Sequence, residues 1–355
     1  MTKTEPQLII PFAKPSGMTS FTSLWQVKRC LGTKKVGHTG TLDGFADGLL
    51  VLLSGKLTKL VSYITDFDKT YLVLFYFGKE TDTLDPEGMV IDEKPLPHYA
   101  AFLSALARLT GTIEQIPPAY SAVKQEGERL SDKVRRGETV NIPPRTVTIY
   151  DIQIQKIFYE DGRSAVPVCG APLPGMEHYA DKPVSGAVLQ VHCSKGTYIR
   201  SLVRDIARLC GSAAYVSALR RIAVGPFTLE QAAGAELLPP FGTDAVRCFG
   251  ADPCADAAPE ERTAAETLPA GAIEHTALPL TADIAAAMRF GAAVLHEEYY
   301  PAFITGKPIE RQWFTGADTA PAGGIIAVFY RGVCAGLIRQ HGRRFTYEAV
   351  FAVPE

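Results

Sequence analysis

The stretch Val36-Gly37-His38-Thr39-Gly40-Thr41-Leu42-Asp43 ends a turn of glycines and small hydroxylated residues on a single carboxylate. Two glycines three apart let a backbone turn tightly and come close to a ligand. The carboxylate stands just before a buried apolar run, which makes it the residue of this stretch most able to do chemistry. Read alone, the same stretch is also a good Asx or capping turn, with His38 an ordinary loop histidine. Other signatures of chemistry are missing. Gly48 to Gly55 has the wrong spacing for a GxxxxGK[ST] phosphate loop, and there is no GxGxxG. His296-Glu297-Glu298 lacks the second histidine of HExxH, and no GxSxG elbow occurs. The 7 cysteines are scattered without CxxC spacing, which argues against a disulfide framework or a zinc site.

The elements that must position Asp43 alternate between strand and helix patterns. Leu8–Phe12 reads as a short strand. Ser20 caps a helix whose apolar face is Phe21, Leu24, Val27 and Leu31. Residues 32–48 read as a loop that runs into the buried strand Leu49–Leu53, and Leu57, Leu60, Val61 and Ile64 recur at helical spacing. Tyr71–Phe77 is apolar on both faces, as a central strand is. A helix at about 98–108 and strands near 119–124 and 146–158 follow, then a Gly/Pro-rich excursion at 160–186. Ala187, Leu189, Val191 and Cys193 alternate on the next strand. Ser194-Lys195-Gly196-Thr197 turns into a helix striped by Ile199, Leu202, Val203, Ile206 and Leu209, which Gly211 closes. Residues 218–227 look strand-like, and Thr228 with Gln231 forms a capping box. Residues 232–275, rich in alanine, proline and acids, read as a linker or loosely ordered segment; 276–355 read as short strands with tight turns.

With 355 residues, 46% hydrophobic and 21% charged, the chain has the composition of a soluble globular protein of two domains. No apolar run approaches the roughly 20 residues a membrane helix needs, and Met1–Phe12 lacks signal-peptide architecture. A cytoplasmic protein is expected. The net charge of −2 conceals an asymmetry: residues 1–230 hold 27 Lys/Arg against 23 Asp/Glu, and residues 231–355 hold 9 against 15. A polyanion would bind the first part.

Five further stretches accompany His38–Asp43 in order: Lys14–Ser20 (KPSGMTS), Lys69–Tyr71 (KTY), Thr81–Asp85 (TDTLD), Pro117–Lys124 (PPAYSAVK) and Ser194–Leu202 (SKGTYIRSL), with Leu219-Arg220-Arg221 beyond them. Together they resemble the TruB family of tRNA pseudouridine synthases over roughly residues 8–231. The resemblance implies an α+β fold: a pseudouridine-synthase-like mixed sheet flanked by helices, with a small, divergent PUA-like β domain at the C-terminus. It also implies an enzyme that isomerises a uridine in the T-loop of tRNA, position 55, to pseudouridine without cofactor or metal. In that resemblance Asp43 is the nucleophile and Arg200 its partner. Tyr71 and His38 belong to the base pocket, and Tyr198 and Leu219 bind substrate.

These residue types suit the chemistry. A uridine in a folded loop must be flipped into the protein, at a cost of a few kcal/mol partly recovered by stacking on an aromatic such as Tyr71. His38 fits as a wedge in the gap the base leaves, and Leu219 as an apolar pocket wall. Arg200 falls in the first turn of its helix; the alternative is a solvated stripe with Arg204 and Arg208. Lys14 and Asp82 are further candidates for substrate contact. In the thumb-like segment 124–145, Lys124, Arg129 and Arg136 are candidates for phosphate contacts, which set affinity and register rather than sequence.

The departures are local. The family has proline after the aspartate, whereas Gly44 stands here, followed by Phe45-Ala46-Asp47. Asp47 would raise the pKa of Asp43 if it pointed inward; the expectation is that it lies at the rim or caps the next segment. The domains expected are 1–231, catalytic, with an inserted loop at 160–186; 232–275, linker; and 276–355, the PUA-like unit. The expected partner is tRNA, bound by a monomer. The competing functions are a guide-dependent RNA pseudouridine synthase and a tRNA-binding folding factor.

Overall fold

The run Leu49–Leu53 is unbroken because the strand it forms is covered on both faces. The computed structural model describes residues 5–121, 124–125, 128–129, 133, 136, 138, 140–166, 181–242, 270–316, 324–342 and 344–351. The chain opens with β1 (Ile9–Lys14), α1 (Ser20–Leu31), β2 (Val36–His38) and β3 (Asp47–Ser54). A tight helical turn, Gly55–Leu60, leads into α2 (Val61–Thr65) and the long β4 (Lys69–Phe77). The hairpin β5 (Lys79–Thr81) and β6 (Val90–Glu93) is followed by α3 (Tyr99–Leu109) and β7 (Gly111–Gln115). A small ribbon, β8 (Lys124–Gln125) with β9 (Glu128–Arg129), precedes β10 (Arg145–Tyr159) and β11 (Ser164–Ala165). Then come β12 (Val184–Cys193), α4 (Ile199–Leu209), β13 (Ala214–Val224) and β14 (Phe227–Thr228).

The main sheet runs β1-β3-β13-β4-β12-β10-β11, with β2, β7 and β14 paired at its margins. On one face Val73, Phe75, Val191 and Leu189 pack with Phe102, Leu202, Val203 and Ile206 of α3 and α4. On β3, Leu50 and Leu52 pack with Leu24 and Val27 of α1. Leu49, Val51 and Leu53 instead share a cluster with Ile325, Ala327 and Leu337. Those last three belong to a second sheet in the order β16 (Phe314–Thr315), β15 (Gly291–Leu295), β17 (Ile325–Tyr330), β18 (Val333–His341), β19 (Arg344–Val350). The fold is α+β: a mixed sheet flanked by helices, with a β-rich C-terminal sheet against its back. No helix among the described residues is long and apolar enough to cross a membrane.

The structure departs from the sequence reading in several places. Thr19, not Ser20, caps α1, accepting a hydrogen bond from the Thr22 N–H at 3.0 Å. Phe21 is 74% exposed rather than part of the apolar face. The loop 32–48 contains β2, which pairs with β3. Of the strand expected near 119–124, residues 119–121 are not extended in a ladder, 122–123 lie outside the described residues and Lys124 begins β8, while a strand not expected forms earlier, at β7. The segment 232–275 docks where described: Ala233 pairs with β1, with the Ala13 N–H donating to its carbonyl at 2.9 Å. Residues 167–180 and 243–269 lie outside the described residues, as does most of the thumb-like segment.

Register places the site. β13 runs parallel to β3 with Arg220 opposite Asp47 and Arg221 opposite Gly48, and antiparallel to β4 with Arg221 opposite Tyr71. Gly48, at φ +105°, lets this happen, since an added Cβ would sit 2.4 Å from the Arg221 carbonyl oxygen. Gly48→Ala is expected to cost on the order of 3 kcal/mol, from backbone strain and overpacking together. A urea unfolding midpoint unchanged from wild type would contradict this close approach.

Candidate active site

The loop 40–47 is held from below by the segment before it. Lys14 is fully buried, and its ammonium donates to the carbonyls of Met18 (2.7 Å), Pro15 (3.0 Å) and Gly44 (3.4 Å). Burial pulls its pKa down to about 8, against the attraction of Asp47 and Asp43. The Ser16 hydroxyl donates to the Phe45 carbonyl at 2.7 Å, and Ser20 both donates to and accepts from the Leu42 backbone. Arg221, also buried, donates to the carbonyls of Leu49 (2.8 Å) and Gly40 (3.2 Å). The KPSGMTS stretch is therefore a cradle for the Asp43 loop. This corrects the expectation that Lys14 contacts substrate: its ammonium is spent on backbone carbonyls.

Asp43 lies in a cleft of about 510 Å³, lined also by His38, Phe45, Asp85, Tyr120 and Arg200. Its side chain is 37% exposed, whereas that of Arg200 is 5% exposed. The Arg200 Nε is 2.9 Å from Asp43 Oδ2, and Nη2 donates to Oδ1 at 3.1 Å. The rest of the guanidinium is also engaged. Nη1 donates to Asp85 Oδ2 (3.1 Å) and the Thr83 carbonyl (2.7 Å), and Nη2 to the Tyr120 carbonyl (2.9 Å). A buried arginine with two carboxylates and two carbonyls around it is geometrically fixed. The solvated stripe does not form, since Arg204 is buried too and donates to the Ile116 carbonyl. Arg208 meets Glu80 at 3.2 Å.

Asp85 is the residue that sequence reasoning misses. Of the two carboxylates in TDTLD, the sequence reading favours Asp82, yet its Oδ1 accepts from the Met89 N–H at 2.9 Å and closes a turn. Asp85 is the one turned inward, where it also accepts from the Thr83 hydroxyl and the Glu87 N–H. Between them Leu84 sits at φ +63°, a left-handed conformation rare for leucine. Burial pushes the Asp85 pKa up to about 6, with Arg200 pulling the other way.

A pH dependence follows. The folded protein holds the Asp85 proton more tightly than the unfolded chain does. The stability this contributes is complete below about pH 4 and is lost as pH rises through about 6. The ion pair with Arg200 has the opposite demand and weakens as pH falls through about 6. Turnover is expected to decline below that pH, and Asp85→Asn to flatten the limb at a lower rate. An unchanged acid limb in that variant would detach Asp85 from the site.

The other expected residues are placed as follows. His38 lines the cleft, and its Nδ1 is buried without a hydrogen-bond partner. Burial and the Arg221 charge lower its pKa, so it is neutral at pH 7. Tyr71 is 9% exposed, in the same buried cluster as Leu42, Phe45, Val191 and Leu219, and does not line the cleft. The Tyr198 backbone exchanges two hydrogen bonds with the Gln115 side chain, and burial raises its phenol pKa. Asp47 is neither at the rim nor a cap: it is buried and takes two hydrogen bonds from Arg220, at 2.8 and 2.6 Å, which keeps its charge from Asp43. Arg136 is held by Glu128 and Glu138, so in this state it offers no free cation to a phosphate. Lys124 and Arg129 face each other in the β8–β9 ribbon, and their side chains lie outside what is described. A larger cleft, of about 770 Å³, lies elsewhere, at Tyr63, Tyr150 and His192; its acids Asp66 and Asp68 are taken by Lys195 and Tyr150.

Comparison with known proteins bears on the family and the fold. The family model described as "TruB family pseudouridylate synthase (N terminal domain)" matches residues 28–199. The tRNA pseudouridine synthase B of Treponema pallidum (strain Nichols) is 42% identical over 98% of both chains. That of Treponema denticola is 50% identical over 66% of this chain and 64% of its own. In the solved Cbf5-Nop10-Gar1 complex, a chain aligns with 97% of this one and 85% of its own length, at TM-score 0.56 and 19% identity, a likeness of fold. With near full-length identity of this order, this chain belongs to the TruB family of pseudouridylate synthases.

Proposed function

We propose that this protein isomerises uridine to pseudouridine in tRNA, at position 55 of the T-loop, with Asp43 as nucleophile. The observation that carries the reading is a partly exposed carboxylate lining a cleft, held on both oxygens by a buried arginine. Arg200 keeps Asp43 ionised and aimed, and Asp85 keeps Arg200 in place. In the reaction the C1′–N1 glycosidic bond breaks, the base turns, a C1′–C5 bond forms, and the C5 proton is lost to solvent while N1 takes one up, so that the product is an isomer. Asp43 holds the detached fragment through a covalent adduct and departs as carboxylate when the new bond closes. A neutral His38 fits the gap left by the flipped nucleotide, where a charged imidazole would be costly to bury. Tyr71 is buried and does not line the cleft, so stacking of the base on it requires the pocket to open. Leu219 and Tyr198, which do not line the cleft as it stands, would meet the base once the pocket has opened.

The protein acts in this reading as a cytoplasmic monomer, with residues 1–231 holding the RNA and 276–355 as a PUA-like unit. The two parts share buried apolar surface through Leu49, Val51 and Leu337, so the C-terminal unit supports the fold whatever it adds to binding. Incubating the purified protein with an unmodified tRNA transcript and mapping pseudouridine tests the function. One modified site, in the T-loop, is expected, and a cytidine there should leave the transcript unmodified. Modification at other positions, or none, would overturn the reading.

A further inference from the structure

Helix α1 carries an outward face that the fold does not use. Phe21 and Trp25 are 74% and 60% exposed, whereas Trp313 is buried at 5%. They lie four residues apart on one face, about 6 Å along the axis. Each has a cation over its ring: Lys28 Nζ is 5.9 Å from the Phe21 centroid, and the Arg29 guanidinium 5.4 Å from that of Trp25. Along this stretch of the chain the charge is of one sign, while the cleft beside Phe21 also holds Asp43, Asp85 and Glu87. No acid occurs from Gln7 to Leu42, while Lys28, Arg29, Lys34 and Lys35 do. Glu274, on the helix Ala270–Thr276 packed against α1, bears on Cys30, away from this face. The face is also continuous with the site, because Phe21 lines the cleft that holds Asp43 and Arg200.

We propose that the outer face of α1 is an RNA-stacking surface: Phe21 and Trp25 take two unpaired bases beside the target uridine, and Lys28, Arg29, Lys34 and Lys35 meet their phosphates. Exposed aromatics interleaved with cations are what single-stranded RNA requires, since every base has a π-face and every linkage a charge. The step of about 6 Å suits two neighbouring nucleotides. This inference rests on the tRNA reading above and names a further part of the same interface.

The test uses the full chain and an unmodified tRNA transcript. The double variant Phe21→Ala/Trp25→Ala is expected to bind the transcript at least tenfold more weakly, with an unchanged melting curve. Phe21→Tyr/Trp25→Phe should restore binding to within about threefold, whereas Phe21→Leu/Trp25→Leu should not. That contrast separates stacking from mere apolar cover. Trp25 fluorescence should be quenched as transcript is added, and the change lost in Trp25→Phe. If wild type modifies the transcript while the alanine variant binds it as tightly, the surface is not an RNA platform and the tRNA reading still stands. Self-association of wild type that the alanine variant loses, with RNA binding intact, would equally overturn the proposal. Failure of wild type to modify tRNA at all would strike the function first.

Discussion

Asp43→Asn should abolish pseudouridine formation, lowering the single-turnover rate by a thousandfold or more, while the protein still folds and binds tRNA. The exchange is nearly isosteric but removes the nucleophile, and a thousandfold is about 4 kcal/mol of transition-state stabilisation. The carboxamide oxygen can still accept from Arg200 Nη2, but the amide nitrogen would then face Nε, donor against donor. Arg200 does not lose its place, because Asp85 and the carbonyls of Thr83 and Tyr120 hold its other side. The variant therefore separates chemistry from architecture. Melting within a few degrees of wild type and tRNA affinity within about threefold are the expected controls. A residual rate above about one hundredth of wild type would remove Asp43 from the role, since loss of a nucleophile cannot leave so much.

Much of the scaffold for that carboxylate is legible in the sequence. β4, β12 and α4 bury faces that announce themselves as continuous or alternating apolar patterns, and the turn Ser194–Thr197 fixes where Arg200 must fall. What stays hidden depends on partners distant in the chain. Asp47 looks like a stray acid near the site until Arg220, 173 residues on, neutralises it. Lys14 reads as an RNA contact because lysine is seldom buried, and its place is explained only by the carbonyls that meet it, those of Pro15 and Met18 nearby and of Gly44 thirty residues away. Asp82 and Asp85 cannot be ranked by spacing, since what separates them is a partner distant in the chain: Asp85 meets Arg200, whereas Asp82 closes its own turn. Phe21 reads as core because an aromatic on an amphipathic helix usually belongs there. Its exposure shows that α1 buries a narrow stripe, Leu24 and Val27, and turns the rest outward.

The second large effect is at Arg200, where charge and shape can be separated. Arg200→Lys keeps a cation but replaces a planar fork with one ammonium. That ammonium cannot meet Asp43 and Asp85 and at the same time satisfy the carbonyls of Thr83 and Tyr120. Asp43 would then drift, and a misplacement of about 1 Å costs on the order of a hundredfold in rate. Arg200→Ala should be slower still, by another tenfold or more, because two carboxylates would face each other across a partly dry cleft with no cation between them. One of them would take up a proton. Since Asp85 is the more buried of the two, it would protonate first, and acidification should then recover stability in the alanine variant rather than erode it. The expected order of single-turnover rates is wild type, Lys, Ala, with tRNA affinity changing far less than rate. Were Arg200 instead a phosphate contact, both variants would lose affinity and keep near wild-type rates at saturating tRNA. Its 5% exposure and its hold on two carboxylates and two carbonyls oppose that outcome, because a guanidinium turned to RNA cannot also keep those partners.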